Sequence, residues 1–399
     1  MNRKEYALLN ARGIKMKRVI ISGGNFVNKG AEAMLYVTAN ECFTRFDGCV
    51  CSVQLAEGFF EIRSLEDLNR LANSSVKKMQ SSGKIKKLIA MLEEYKRADL
   101  MLDISGYELC SKLGNYPTLR YLFKIALCKW TKTKAALMPQ SFGPFSYDGK
   151  IKYIIRLMIR KYLKYPVVCF AREKKSAEDL KKIAPKANVR ISSDLVLQNS
   201  RIFEAAKDFF QDSNFEIKNE SVGLVVNRRL YEQYGHDRIL SKYIVIVNAI
   251  LEKKKNVYLL CHATDDLNIC NEIKKEFENE HRVVILNEVL SCFAFESLVQ
   301  NFDYIVAARY HSIVHSYKEC IPCVALGWAV KYQELLGLMG QSKYVLDVGD
   351  VSDIVIIETL ERMDKNHKVE EETIRQNLKK VQKENCFDEL ERRLRRKNE

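Results

Sequence analysis

Arg309 and His311 lie two residues apart in the run FDYIVAARYHSIVHSYKECIPCVALGWAVKYQELL, Phe302 to Leu336. A guanidinium and an imidazole at that spacing suit an acidic substrate that must gain or lose a proton. The flanking pattern says where they sit. Tyr304 to Ala307 predicts a strand, Tyr310 to Glu319 a helix, and Cys323 to Leu326 a second strand. The pair therefore falls where the first strand stops and the helix starts. Open parallel sheets bind ligands beyond the carboxyl ends of their strands. A helix N-terminus there adds free N–H groups and partial positive charge. The competing readings are a surface ion pair for the arginine and a structural role for the histidine, so partners must be sought along the chain.

Those partners need elements to hold them. Lys17 to Ser22 is a β-branched run that predicts a strand, broken by Gly23-Gly24-Asn25. Asn28-Lys29-Gly30 then leads into a helix, Ala31 to Thr44. This turn is like a nucleotide-binding one, but it lacks G-x-G-x-x-G and the lysine-threonine ending of a P-loop. Its glycines, Gly30 included, allow close backbone approach to a ligand or merely close the turn. Further strands are predicted at Val50 to Leu55, Asp99 to Ile104, Lys134 to Met138, Val167 to Ala171 and Val189 to Ser192. Asp103 lies near the carboxyl end of the second of these. Gln140 and Ser141 follow the third, in the rigid loop PQSFGPF. Arg172-Glu173 follows the fourth. Helices are predicted between them, at Leu65 to Lys96 with a break near Ser81-Ser82-Gly83, at Tyr116 to Lys129, and at Ile151 to Leu163.

Gln198 to Glu220 is polar and marks a domain boundary. A second alternating series follows, with strands at Val222 to Val226, Asn256 to Cys261 and Val283 to Leu286. His262 and, after a turn, Asp265-Asp266 close the second of them. The fold class is α/β, with two doubly wound, Rossmann-like parallel-sheet domains facing a cleft. The expected division is a flexible tail over residues 1–15, an N-terminal domain over 16–198, a C-terminal domain with the Arg-x-His motif over 199–365, and a charged helical tail over 366–399.

The 399 residues are too many for one ordinary core, and the 47% hydrophobic and 29% charged shares are those of a globular protein. No apolar run reaches the ~20 residues of a bilayer span. MNRKEYALLN lacks the apolar centre of a secretory signal. A cytoplasmic location is therefore expected. The 12 cysteines are scattered, and Cys320 and Cys323 read as small buried hydrophobes rather than as metal ligands. The formal charge of +14 is spread over helices without interleaved aromatics of a nucleic-acid-binding type. Its functional expectation is peripheral association with the acidic inner face of a membrane.

Four segments in order resemble the polysaccharide pyruvyl transferase family: GGNFVNKGAEAML (Gly23 to Leu35), MPQSFGPF (Met138 to Phe145), FAREKKS with SSDLVL (Phe170 to Leu197), and ARYHSIVHSYKECIPCVAL (Ala308 to Leu326) followed by Lys331. Ser105-Gly106-Tyr107 stands where the family often has a run of glycines. The resemblance implies a GT-B-like fold and transfer of a pyruvyl group from phosphoenolpyruvate to two hydroxyls of a sugar, as a ketal, in surface polysaccharide or glycan biosynthesis. It implies no metal and no nucleotide cofactor.

Phosphoenolpyruvate carries two anionic groups, and arginine binds both kinds through paired N–H donors. Arg309 and Arg172 are expected in that role, one from each domain, with Lys331 as a third positive charge. Histidine titrates near neutrality, so His311 is the expected general acid for the enol methylene. Asp103 is a candidate base or sugar-binding carboxylate. Asn25, Asn28, Gln140, Ser141 and His262 are candidate contacts to sugar hydroxyls or a lipid-linked diphosphate, with capping and turn roles as the alternative. The competing functions are a nucleotide-sugar-dependent GT-B glycosyltransferase and a non-catalytic scaffold acting through the basic tail.

Overall fold

The computed structural model describes residues 16–74, 84–198, 215–263, 266–286, 290–327 and 330–396. The expected tail over Met1 to Lys15, the break at Ser81-Ser82-Gly83 and Asp265 lie outside the described residues. The chain groups into two compact units. The first takes the residues up to Phe26, Met34–Leu195 and Asn385–Glu399; the second takes Val27–Ala33 and Val196–Glu384.

In chain order the first series comprises β1 (Arg18–Ser22), α1 (Lys29–Arg45), β2 (Val50–Gln54), β3 (Phe59–Ile62), α2 (Leu65–Asn73), α3 (Lys84–Arg97) and β4 (Leu100–Asp103). It continues with α4 (Asn115–Thr131), β5 (Lys134–Gln140), α5 (Ile151–Tyr162), β6 (Val168–Ala171), α6 (Lys174–Ile183) and β7 (Val189–Ile191). The strands lie in the order β3-β2-β1-β4-β5-β6-β7. β1 pairs in parallel with both β2 and β4, so the order reverses between β1 and β4. Buried runs such as LMLD and VCFA are what a sheet covered on both faces requires. The sequence reading missed β3: its residues are half exposed and it returns antiparallel to β2 without a crossover helix. α4, α5 and α6 close one core, in which Tyr121, Leu122 and Ile125 meet Ile155, Ile159, Tyr162 and Leu180.

The second series comprises β8 (Ser221–Val225), α7 (Arg228–Tyr234), α8 (His236–Glu252), β9 (Asn256–Leu260), α9 (Leu267–Glu276), β10 (Val283–Leu286) and α10 (Cys292–Val299). It ends with β11 (Tyr304–Ala307), α11 (Tyr310–Lys318), β12 (Cys323–Gly327), α12 (Val330–Leu338), β13 (Val345–Asp347) and α13 (Asp353–Val381). The order β10-β9-β8-β11-β12-β13 is parallel throughout and reverses between β8 and β11.

The charged tail is where the structure departs most from expectation. A boundary between residues 365 and 366 would fall inside α13. That helix is continuous because Ile356, Leu360, Met363, Ile374, Leu378 and Val381 keep one buried face along its length. Buried Glu370 anchors its second half, accepting from Gln341 Nε2 at 2.7 Å and Tyr344 Oη at 3.0 Å. α14 (Cys386–Arg396) groups with the first unit. There it buries Phe387, Leu390 and Leu394 and pairs Asp388 and Glu391 with Arg45. These residues are thus built into the two bodies rather than forming a separate appendage. No helix among the described residues is long and apolar enough to cross a membrane.

Candidate active site

The reversal between β8 and β11 places two loops of the second unit side by side. Asn227, just after β8, donates from Nδ2 to the Ala308 carbonyl at 2.9 Å. Arg309 follows in the N-cap position of α11 with extended backbone, φ −113°. Its guanidinium is gripped in two places: Nε lies 2.7 Å from Asp266 Oδ2 and Nη2 lies 2.5 Å from Oδ1. Asp266 is itself fully buried and also accepts from the backbone N–H groups of Ala263 and Arg228. This clamp fixes the plane of the guanidinium and leaves Nη1 as the nitrogen the carboxylate does not use. A bidentate Arg–carboxylate pair of this kind holds direction as well as charge.

His311 occupies the first turn of α11, and the first turn of α1 packs against it. A Cβ added at Gly30 would fall 1.9 Å from His311 Cγ and 2.1 Å from Nδ1. Glycine is required at this point because the imidazole occupies the space. Asn28 caps the same turn, its Oδ1 accepting from the Gly30 and Ala31 N–H groups at 3.0 and 3.4 Å. Gly30→Ala must therefore displace the His311 ring. A misplacement of about 1 Å costs roughly 100-fold in turnover; steady-state rates of a purified Gly30→Ala protein that match the unsubstituted chain would exclude this constraint.

Behind the pair lies a buried polar group that the sequence suggested only in part. His262 follows β9 and is 1% exposed. Its ring meets Phe295 edge-on at 5.1 Å and His315 at 6.5 Å. Neither of its nitrogens hydrogen-bonds another group among the described residues. His315 Nδ1 pairs with Glu296 Oε2 at 2.8 Å, and Lys318 Nζ pairs with Glu296 Oε1 at 2.9 Å. Burial pulls the Glu296 carboxyl upward, but Lys318 and His315 outweigh it and hold the group below its ordinary value. Lys29 pairs with Glu32 at 3.0 Å, and Glu32 also accepts from the Cys292 N–H. Burial first, then the charges of Arg309, His315, His311 and Lys29, push the His262 pKa well below the ordinary imidazole range.

That depression has a sign. The unfolded chain takes up this proton more readily than the folded one, so the contribution of neutral His262 is complete above the unfolded value of ~6.5. It is lost as pH falls below that value toward the lower folded one. A His262→Gln protein should lose less stability than the unsubstituted chain between neutral pH and about pH 5. Urea titrations across that range, showing parallel pH slopes for both proteins, would contradict it.

Lys331 sits in the first turn of α12, with Nζ 5.4 Å from the Tyr310 ring and 5.5 Å from the Tyr332 ring. The Tyr332 hydroxyl donates to the Ala308 carbonyl at 3.1 Å. Lys331, Tyr310, Arg309 and His311 are thus brought together around one strand end.

The remaining expected site residues lie in the first unit, apart from Asn28, the cap already described. The β1 and β4 loops touch at its own reversal point. Gly23 has φ +94°, and a Cβ there would lie 2.3 Å from Ser105 Oγ. Asn25 is exposed in the β1–α1 connection. Asp103 is 1% exposed. It accepts from Lys124 Nζ at 2.6 Å and from the Ser105 N–H at 3.1 Å. Gln140, also buried, accepts from the Tyr121 hydroxyl at 2.9 Å. The Arg172 side chain is 3% exposed, with Nη1 2.7 Å from Asp194 and Nη2 donating to the Gly106 carbonyl at 2.8 Å and to Ser141 Oγ at 3.0 Å. Ser141 donates in turn to Glu173 at 2.7 Å. The loop PQSFGPF is pinned by these contacts.

Sequence reasoning missed Lys124, Asp266, Glu296 and Lys318. Lys124 lies on the apolar face of α4, 6% exposed, where burial would pull its pKa down; Asp103 and Glu108 outweigh that and raise it. A lysine inside LFKIAL was the available signal. The twelve cysteines are all buried and none is in a disulfide. No group of three metal-ligating side chains occurs among the described residues.

Comparison with known proteins now adds to this geometry. A search of curated proteins found no match. Among solved structures, the UDP-GlcNAc 2-epimerase from Methanocaldococcus jannaschii is similar at TM-score 0.56 and 13% identity, over 87% of this chain and 92% of that one. The Neisseria meningitidis UDP-GlcNAc 2-epimerase gives 0.55 and 12%, over 90% and 94%. A mutant O-GlcNAc transferase from Thermobaculum terrenum gives 0.52 and 13%, over 96% and 68%. At these identities the likeness is one of fold, and the fold is GT-B-like. The family profile described as polysaccharide pyruvyl transferase matches residues 4–329. With that match spanning Gly30, Arg172, Arg309 and His311 alike, the chain belongs to the polysaccharide pyruvyl transferase family and is a transferase.

Proposed function

We propose that this transferase moves the pyruvyl group of phosphoenolpyruvate onto two hydroxyls of a sugar, forming a cyclic ketal and releasing phosphate. The observation that carries the reading is the junction of β11 and α11. There a guanidinium locked by Asp266 stands two residues before an imidazole seated against Gly30.

Arg309 and Lys331 supply positive charge for the donor's carboxylate and phosphate, and the N-terminus of α11 adds its free N–H groups. His311 gives a proton to the enol methylene, which becomes a methyl group. One sugar hydroxyl adds to the central carbon. The C–O bond to phosphate breaks, and the second hydroxyl closes the ring on the same carbon. Of the two hydroxyl protons, one replaces the proton spent on the methyl group and the other leaves with phosphate, so the step balances without a metal or a nucleotide. His262, neutral and buried beside the pair, keeps the pocket from accumulating a further cation before the donor enters. Arg172, expected with Arg309 at the donor, has its guanidinium engaged within the first unit by Asp194, the Gly106 carbonyl and Ser141. Asp103, Gln140, Ser141 and the exposed Asn25 of that unit are the proposed contacts to sugar hydroxyls. A glycan or lipid-linked saccharide in surface polysaccharide synthesis is the proposed acceptor.

Mass spectrometry of candidate acceptors incubated with phosphoenolpyruvate tests the reading. A mass gain of one pyruvyl ketal, with stoichiometric phosphate, is the expected result. Thermal stabilisation by a nucleotide sugar, with none by phosphoenolpyruvate, would move the assignment to a nucleotide-sugar glycosyltransferase.

A further inference from the structure

α5 presents an outward face that the fold does not use. Ile155, Ile159 and Tyr162 point inward and are buried at helical spacing. On the opposite side Tyr153 is 61% exposed, Ile154 57% and Leu157 66%. Positions three and four apart share a helix face, so these three apolar side chains form one stripe. Lys150, Lys152, Arg156, Arg160, Lys161 and Lys164 flank it, and the segment from Gly149 to Tyr165 has no acidic residue. None of these cations pairs with a carboxylate among the described residues.

In the last two helices several arginines are neutralised within the protein. Arg392 and Arg393 pair with Glu389, Arg395 pairs with Glu391, and Arg375 pairs with Glu371 and Glu372. These arginines are matched by carboxylates. The apolar residues Phe387, Leu390 and Leu394 of α14 are inward, while α13 leaves Ile354, Val355 and Val369 exposed without a continuous basic flank. α5 combines the two properties a bilayer surface selects: apolar groups that can enter the headgroup–acyl boundary and long cationic side chains that can reach anionic headgroups from its edge.

We propose that the outer face of α5 seats the enzyme on an anionic lipid bilayer, with Tyr153, Ile154 and Leu157 inserted and the flanking lysines and arginines on lipid phosphates. This contact needs neither donor nor acceptor, so its failure leaves the pyruvyl reading untouched.

The test is flotation of the full chain with vesicles of phosphatidylcholine alone or mixed with phosphatidylglycerol, at low and high salt. Binding is expected only to the anionic vesicles and is expected to weaken with salt. Replacing Lys152 and Arg156 by glutamine should lower partitioning roughly 30-fold. Leu157→Glu should lower it about tenfold or more. Arg156 and Leu157 are exposed and Lys152 is half-buried, and melting curves matching the unsubstituted chain establish that the variants fold. Leu157→Gln serves the same purpose if the charged variant melts early. Three results would overturn the proposal. They are no binding to anionic vesicles at low salt, undiminished binding by both Leu157 variants, or loss of a self-associated form by those variants with vesicle binding intact, which would assign the face to a second copy of the chain.

Discussion

His311→Ala is expected to slow pyruvyl transfer by about 10²–10⁴-fold, the usual contribution of a positioned general acid. The alanine protein should still fold, because the imidazole sits at the edge of the first turn of α11 while the buried residues Ile313, Val314 and Tyr317 hold that helix to the sheet. Steady-state kinetics with phosphoenolpyruvate should show the loss in kcat, with KM little changed. Arg309→Ala should differ in kind. It removes the proposed partner of the donor and also strands Asp266, a fully buried carboxylate, without its cation. Leaving one member of a buried pair unmatched costs about 3–5 kcal/mol. That variant should therefore lose both donor affinity and thermal stability, whereas His311→Ala loses rate alone. An alanine at 311 with near-normal kcat would remove the proton-donor role.

Lys124→Met is expected to destabilise the first unit by about 3–5 kcal/mol. Lys124 holds Asp103 at 2.6 Å and Glu108 at 3.3 Å, with Ser105 Oγ at 3.2 Å. Methionine fills similar volume but leaves Asp103 charged and enclosed at the end of β4. Adding Asp103→Asn should restore part of the loss, because a neutral amide is far less costly to bury than an unmatched carboxylate. Urea unfolding of the single and double variants measures both effects. A single variant within about 0.5 kcal/mol of the unsubstituted chain, the range of ordinary surface changes, would show that the pair is not an anchor.

Much of this was legible before any coordinates. Alternating apolar strands and amphipathic helices identified two parallel sheets, and the Arg309–His311 spacing fell at a strand-to-helix junction because both periodicities stop there. What stayed hidden depends on chain segments far apart in sequence. Asp266 fixes Arg309 from 43 residues away, and no local pattern pairs them. Gly30 read as a glycine for close approach to a ligand or for closing a turn, yet the space beside it is taken by the ring of His311. Lys124 left only a weak signal, the lysine inside LFKIAL, because a lone lysine in an apolar face usually marks a helix edge, and only Asp103 across the fold makes it a core residue. α13 was divided in the sequence reading because its exposed side is densely charged, although its buried stripe runs on unbroken. β3 lacked the apolar alternation of a covered strand.

The chain passes between its two bodies after Phe26, after Ala33, after Leu195 and after Glu384. During synthesis, then, the amino-terminal body cannot finish before the other has been translated, since its closing helix, Cys386–Arg396, follows the whole of the second body in the chain. Domains generally mature in the order they are made. Here the nascent body must instead wait with the seat for Phe387, Leu390 and Leu394 uncovered. Early chain release or a stalled message would leave that apolar patch open to chaperones and proteases.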